Sequence, residues 1–381
     1  MTEKLYDKDA YISEFEAAVL SVGEDERGHY AVLDKTAFFP EQGGQYSDKG
    51  TIGGVRVTDV QIVGGEIRHY ADAPLEAGKR YDCRLVFVER FMKMQNHTGE
   101  HIVSGIVHSM YGFENVGFHL GDGDMTMDYD GFLTRDQLRE IEYKANEAII
   151  ADIPVYTEYP CPEKLATLKY RSKLDLTENV RIVTIPGIDT CACCAPQVKK
   201  TGEVGIIKLL DAFRHRGGIR IHALCGYDAL ADYNAKYDAI QKIALTLTTK
   251  QEDAADAVDR LIAENAQLRY QLTGARNELL RMKASMLAPT DGNLVVFEDT
   301  SDMDALRGIF NEAVGKCGGI CAVFGKKDGG YAYVIGSRTV DMADETKKIN
   351  GSLGGRGGGR NGMIMGSVTA DESEIRKYFG V

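Results

Sequence analysis

Positive charge is in short supply in this 381-residue chain: 45 Lys and Arg stand against 57 Asp and Glu, for a formal net charge of −12. That balance excludes indiscriminate nucleic-acid binding through bulk charge, while leaving room for a local basic patch. Long apolar runs are missing too. No stretch approaches the ~20 apolar residues that a membrane span requires. The first residues, Met1, Thr2, Glu3 and Lys4, open no apolar segment of the secretory kind, so no signal peptide is expected. The eight cysteines are clustered and do not form the dispersed framework of a disulfide-stapled secreted protein. The expectation is a reducing cytoplasm, with cysteines serving as ligands or core filler. What is present is ample core material, 44% hydrophobic residues, in a chain long enough for two or three domains.

The segment that organises the rest is His97-Thr98-Gly99-Glu100-His101. It lies in a helical pattern, with Phe91, Met94, Thr98, Ile102, Gly105 and Ile106 recurring at spacings of three and four. Histidines at i and i+4 share one face of a helix, where both imidazoles can converge on one ion. A solvated or hydrogen-bonded pair has the same spacing, so a second ligand group is needed. One lies downstream, where Cys191, Cys193 and Cys194 crowd into four residues after the apolar run Val180–Ile185 and Pro186-Gly187-Ile188-Asp189. Three cysteines in one loop point to a metal or redox role beyond small-residue packing.

The fold class expected is α+β in four parts. Residues 1–90 read as a β-barrel-like domain, with alternating runs at Tyr30–Leu33, Val55–Val63 and Asp82–Val88 separated by glycine turns. Within it, Phe39-Pro40-Glu41-Gln42-Gly43-Gly44-Gln45 carries adjacent glycines that let backbone approach a ligand closely. Residues 91–228 read as mixed α/β, with a strand at Gly117–Asp128 and a helix at Thr134–Ile150 opened by a Thr134/Gln137 capping box. The stretch Lys199–Arg220 is a local basic edge suited to phosphate, six basic residues against two acidic ones. Residues 229–288 read as one long helix. Val258, Leu261, Asn265, Leu268, Leu272, Ala275, Leu279, Met282 and Met286 form an a/d seam of the coiled-coil type, pairing either two chains or, as a hairpin, the Tyr233–Leu247 stretch. Residues 289–381 read as a small α/β unit. Its Gly354–Gly362 stretch, with Arg356 and Arg360, reads as a loop of exposed backbone N–H groups suited to phosphate contact.

Taken together, these motifs resemble the long form of the AlaX-type alanyl-tRNA editing proteins, relatives of the editing half of alanyl-tRNA synthetase. The resemblance covers nearly the whole chain. The Phe39–Gln45 run is similar to the family's glycine-rich motif, with Gln42 where a third glycine is usual. His97 to His101 is similar to its HxxxH zinc motif. Arg181–Gly205 is similar to its CxxxH motif followed by a Thr-Gly-Glu turn, and the Gly354–Gly362 stretch to its DHH-associated C-terminal domain.

The resemblance implies a zinc-dependent trans-editing hydrolase that deacylates tRNA(Ala) mischarged with serine, and with glycine as a second candidate. The implied zinc ligands are His97, His101, Cys193 and Gln197. Gln197 stands where the family has histidine, and a glutamine oxygen is a poor zinc ligand. The fourth bond is thus open to Gln197, to Cys191 or Cys194, or to water. Glu100 is the candidate base or orienter. Gln45 is the candidate contact for the serine hydroxyl, and Lys199, Lys200, Arg214, Arg216, Arg356 and Arg360 are candidate tRNA contacts. The coiled coil and C-terminal domain would make a homodimer. Two other readings compete: a tRNA-binding or dimerisation module with an inactive site, and an HxxEH zinc peptidase with Glu100 as base.

Overall fold

The computed structural model describes residues 2–121, 123, 125–172, 179–360 and 362–381, with Arg360 described by its main chain alone. The chain divides into two compact units, residues 1–241 and 242–381.

After a short strand Glu3–Lys4 and a helical turn Leu5–Lys8, the first unit forms six antiparallel strands: β1 Glu14–Asp25, β2 Gly28–Leu33, β3 Gly50–Ile52, β4 Val55–Val63, β5 Glu66–Ala71 and β6 Arg80–Leu85. They close in the order β1-β2-β5-β4-β3-β6, with β6 paired back to β1. Alternate residues such as Ala17, Val19, Ala31, Leu33, Val57, Val60 and Ile67 fill the interior. Val86 to Val88 reads as apolar strand in the sequence, but β6 stops at Leu85 and a 25-residue helix α1, Phe87–Tyr111, begins. The periodicity of three and four takes over from Phe87 onward, and tertiary packing of that face decides the boundary.

Helix α1 is buried from Lys93 to Val107, including its polar residues. Burial of so many polar groups is tolerated because they are hydrogen-bonded. Gln95 donates to the Glu203 carbonyl at 2.9 Å and accepts from Tyr227 N at 3.2 Å. Asn96 accepts from Cys225 N at 2.9 Å and donates to Asp228. The apolar face, Met94, Ile102, Val103, Ile106 and Val107, packs on a four-stranded antiparallel sheet. That sheet contains β7 Asn115–Leu120 and β8 Met125–Tyr129, where the sequence reads as one strand from Gly117 to Asp128. Helix α2, Arg135–Ile150, carries the expected capping box. A three-stranded sheet follows, β9 Tyr156–Glu158, β10 Ile182–Ile185 and β11 Asp189–Ala192. The strands β12 Ile207–His215 and β13 Gly218–Cys225 complete the four-stranded sheet in the order β12-β13-β8-β7.

The expected single helix over 229–288 is two helices, α3 Gly226–Thr246 and α4 Ala254–Ser285. The break falls at Thr246-Leu247-Thr248-Thr249, where three of four residues are β-branched threonines and Thr248 takes a left-handed φ of 53°. No helix is long and apolar enough to cross a membrane among the described residues.

The second unit places β14 Leu294–Glu298, helix α5 Met303–Ala313, β15 Ile320–Lys327, β16 Gly330–Ser337, helix α6 Met342–Ser352, β17 Arg356–Arg360, β18 Met363–Val368 and helix α7 Glu372–Phe379 around a five-stranded sheet. The expected glycine loop is instead the edge strand β17, antiparallel to β18. Backbone pairing outweighs glycine's weak strand preference there. Asn361 lies outside the described residues. Leu280 and Ala284 of α4 are buried in this unit's core, whereas the seam residues Leu261, Leu268, Leu272, Leu279, Met282 and Met286 are 51–85% exposed.

Candidate metal centre

The centre assembles where α1 meets the β10–β11 hairpin and the glycine-rich loop. Two close approaches make this possible. Gly105 lets α1 touch the hairpin turn: a Cβ there would lie 2.4 Å from the Ile188 carbonyl oxygen. Gly44 takes a φ of +81°, and a Cβ there would lie 2.6 Å from the Phe118 carbonyl oxygen, so the loop can lie on β7. The Leu120 N–H donates to the Gly44 carbonyl at 2.7 Å, pinning that contact. Gln42, where the resembled motif has glycine, does not take positive φ, so glycine is not required at that position.

A donor nitrogen of His97, one of His101 and the Cys193 sulfur lie within 4.8 Å of one another. His97 Nε2 is 3.3 Å from Cys193 Sγ. Each imidazole is oriented from behind. Gln45 Oε1 meets His97 Nδ1 at 3.0 Å, and Asp189 Oδ2 meets His101 Nδ1 at 2.9 Å. Asp189 is itself gripped by Arg171, with Nε on Oδ1 at 2.8 Å and Nη2 on Oδ2 at 2.7 Å. His101 Nε2 is left buried with no hydrogen-bond partner. A buried imidazole nitrogen without a partner, beside a second imidazole and a thiol, is the donor chemistry that zinc takes up. The residues present therefore fit the ion.

Electrostatics favour charge on the sulfur. Burial works to raise the Cys193 thiol, but the His97 and His101 rings beside it hold it well below its ordinary value. Burial works to lower His101, and the charges of Glu100 and Cys193 with the Asp189 bond raise it well above its ordinary value. The thiolate is the form of cysteine that binds metal. Cys194 behaves differently: burial pushes its thiol up to about 12. Cys191 joins His101 and Asp189 in a second grouping, which does not include His97.

Glu100 lies on the cavity side, and its Oε1 accepts from Ser104 Oγ at 2.7 Å and Asn115 Nδ2 at 2.6 Å. The cavity, about 530 Å³, is lined by Gly43, Gly44, Phe118, Tyr159 and Arg181 together with His97, Glu100, His101 and Cys193.

Other sequence candidates fall differently. Gln45 does not line this cavity; it is 1% exposed and meets the far side of the His97 ring. Gln197 is 4% exposed and turns its amide nitrogen, not its oxygen, toward Cys193 Sγ at 3.6 Å. The basic edge is largely neutralised. Lys199 pairs with Asp9 at 3.3 Å, Lys200 with Asp152 at 2.6 Å, Lys208 with Glu142 at 2.7 Å and Arg220 with Asp128 at 2.6 Å. Arg214 lies over the Phe132 ring, and Arg216 sits in the β12–β13 turn with a positive φ of 44°. Arg356 is exposed on β17. Asp189, Arg171, Asn115 and Ser104 were not singled out as site residues in the sequence. Asp189 directly follows the Pro186-Gly187-Ile188 turn before the cysteines, while Arg171 carries no signal at all.

Comparison with known proteins bears on this geometry. The family described as the second additional domain of threonyl and alanyl tRNA synthetases matches residues 180–242, the stretch that contributes Asp189, Cys193 and Gln197. The chain is 28% identical over 396 residues to the alanyl-tRNA editing protein AlaX-L of Pyrococcus horikoshii, covering 98% of this chain and 96% of that one. It is 25% identical over 387 residues to the alanyl-tRNA editing protein Aarsd1 of Danio rerio, covering 95% and 93%. This chain is similar to alanyl-tRNA editing proteins from end to end. The alanine–tRNA ligase of Pyrococcus abyssi is 29% identical over 391 residues, but this chain spans only 42% of it.

Proposed function

We propose that this protein is an aminoacyl-tRNA hydrolase of the cytoplasm. It cleaves the ester joining a wrong amino acid, serine or glycine, to tRNA(Ala), at a zinc ion held by His97, His101 and Cys193. The observation that carries the reading is the convergence of those three donors at a cavity edged by Gly43 and Gly44. End-to-end similarity to proteins named for alanyl-tRNA editing supports it. The third donor is a cysteine, which the HxxEH peptidase reading leaves unexplained.

Bound zinc would supply a Lewis acid for the ester carbonyl or for water. The protein's own residues do the rest. Gln45 and Asp189 hold the two rings. Ser104 and Asn115 fix the Glu100 carboxylate, which orients the attacking water and accepts its proton. Water adds to the ester carbonyl, the bond to the ribose oxygen breaks, and that oxygen takes a proton as the tRNA hydroxyl leaves. The glycine-rich loop presents backbone to the aminoacyl end. Arg356 on β17 contacts tRNA phosphate. The exposed α4 seam pairs with a second copy.

The test is deacylation of seryl-, glycyl- and alanyl-tRNA(Ala) by purified protein, with and without chelator. Loss of serine or glycine with alanine spared, stopped by chelation, is the expected result. Tight tRNA binding without hydrolysis would replace this reading with that of a binding module.

A further inference from the structure

The position that departs from the zinc motif has a definite structural role. Gln197 is buried, and each end of its carboxamide has an identifiable partner. Thr98 Oγ1 accepts from the Val198 N–H at 3.2 Å and donates to Gln197 Oε1 at 2.7 Å. The other end faces the Ala195 carbonyl at 3.3 Å and Cys193 Sγ at 3.6 Å. A carbonyl oxygen only accepts, so the end facing Ala195 must be the NH2 group. Turning the amide over would set oxygen against oxygen at Ala195 and take from the Thr98 hydroxyl proton its Gln197 acceptor. The side chain is therefore locked with its N–H groups toward the sulfur, and an amide N–H offers a metal nothing.

We propose that Gln197 is a positioning residue that donates its carboxamide N–H to the Cys193 sulfur, so that the metal centre has three protein donors, His97, His101 and Cys193. The assignment rests on the zinc reading above. Histidine at this position would add a fourth donor and close the coordination shell. The locked carboxamide instead leaves the fourth position to the reaction, which is the arrangement of catalytic zinc sites, as distinct from structural ones. Its hydrogen bond also draws charge from the thiolate, so the sulfur gives less electron density to the ion. Neither Cys191 nor Cys194 belongs to the set that joins both histidines.

Cobalt(II) is the probe, since its sulfur-to-metal charge-transfer band reports on the thiolate directly. Uptake, affinity and spectrum are compared for wild type, Cys193→Ala, Gln197→Ala and the volume-preserving Gln197→Leu, with circular dichroism confirming the fold of each. Wild type is expected to bind one cobalt per chain and Cys193→Ala none. Both Gln197 variants are expected to keep one cobalt, with affinity reduced by about 10- to 100-fold as for other groups that support a ligand, and to show a displaced charge-transfer band. If either folded Gln197 variant loses cobalt as Cys193→Ala does, glutamine is a ligand and the proposal is wrong. An unmoved band in both variants also overturns it, because no bond to the sulfur was lost. A wild-type protein that takes up no cobalt overturns the zinc reading itself, a pattern distinct from either of these.

Discussion

Replacing Asp189 with Asn tests whether the buried carboxylate behind His101 holds the centre together. Asp189 side-chain exposure is 3% and that of Arg171 is 11%, so the ion pair between them is nearly dry. Burial raises the Asp189 carboxyl, while its bonds from His101 and Arg171 hold it below the usual carboxylate value, so it is charged at neutral pH. Asparagine keeps one acceptor oxygen but turns an NH2 group against one of three incoming N–H donors. It also leaves the Arg171 cation without its partner. Breaking a buried pair on one side costs about 3–5 kcal/mol, a large share of the roughly 5–15 kcal/mol that holds a domain folded. His101 loses the group that fixes its ring, and metal affinity should fall about 10- to 100-fold, or about 1.4–2.7 kcal/mol. Chemical denaturation of metal-free protein measures the first quantity, and zinc titration against a chromophoric chelator the second. Adding Arg171→Met to Asp189→Asn should recover part of the stability loss, because the stranded cation is removed. Wild-type zinc affinity in a folded Asp189→Asn protein would refute the reasoning, as would strict additivity of the two substitutions.

Glu100→Gln should retain zinc and lower the deacylation rate by about 10²- to 10⁴-fold, the usual worth of a general base; an unchanged rate assigns proton transfer elsewhere. His69, buried in the barrel between Thr36 and the Ala31 carbonyl, is pushed down by burial to about 4. The fold favours its neutral form, so its contribution is full above pH ~6.5 and is lost as pH falls toward 4. The loss between pH 7 and 5 comes to about 1.8 kcal/mol by linkage. His69→Gln, which keeps a donor and an acceptor, should remove that part of the pH slope, as read by hydrogen exchange of the Glu66–Ala71 strand; an unaltered slope refutes it. Asp substituted at both Leu268 and Leu272 should convert a dimer to a monomer in sedimentation at micromolar concentration, since each buried leucine is worth about 1.5–3 kcal/mol. A monomeric wild type would disprove the pairing of α4 seams.

Much of this protein is written locally. The strand Val55–Val63, the capping box before Arg135–Ile150 and the i, i+4 histidines follow from periods of two and 3.6 residues and from one hydroxyl placed three residues before a glutamine. Where two signals overlap, local reading fails. Val86–Val88 suits strand and helix equally, the Arg356–Arg360 glycines suit a loop until β18 pairs with them, and the pairing of the basic residues after Val198 with Asp9, Asp152 and Glu142 has no local signature.

The sequence alone determined which side chains can bind an ion, because ligand chemistry belongs to residue type: His97 and His101 on one helical face, and Cys193 in a cysteine-rich loop. Only the tertiary structure decided how they are used. Orientation depends on partners far away along the chain. Gln45 reaches His97 across 52 positions, Asp189 reaches His101 across 88, and Thr98 turns the Gln197 amide across 99. No local period carries that information. It follows from close packing, which lets α1 approach the Ile188 turn at Gly105 and brings these distant side chains within hydrogen-bond reach.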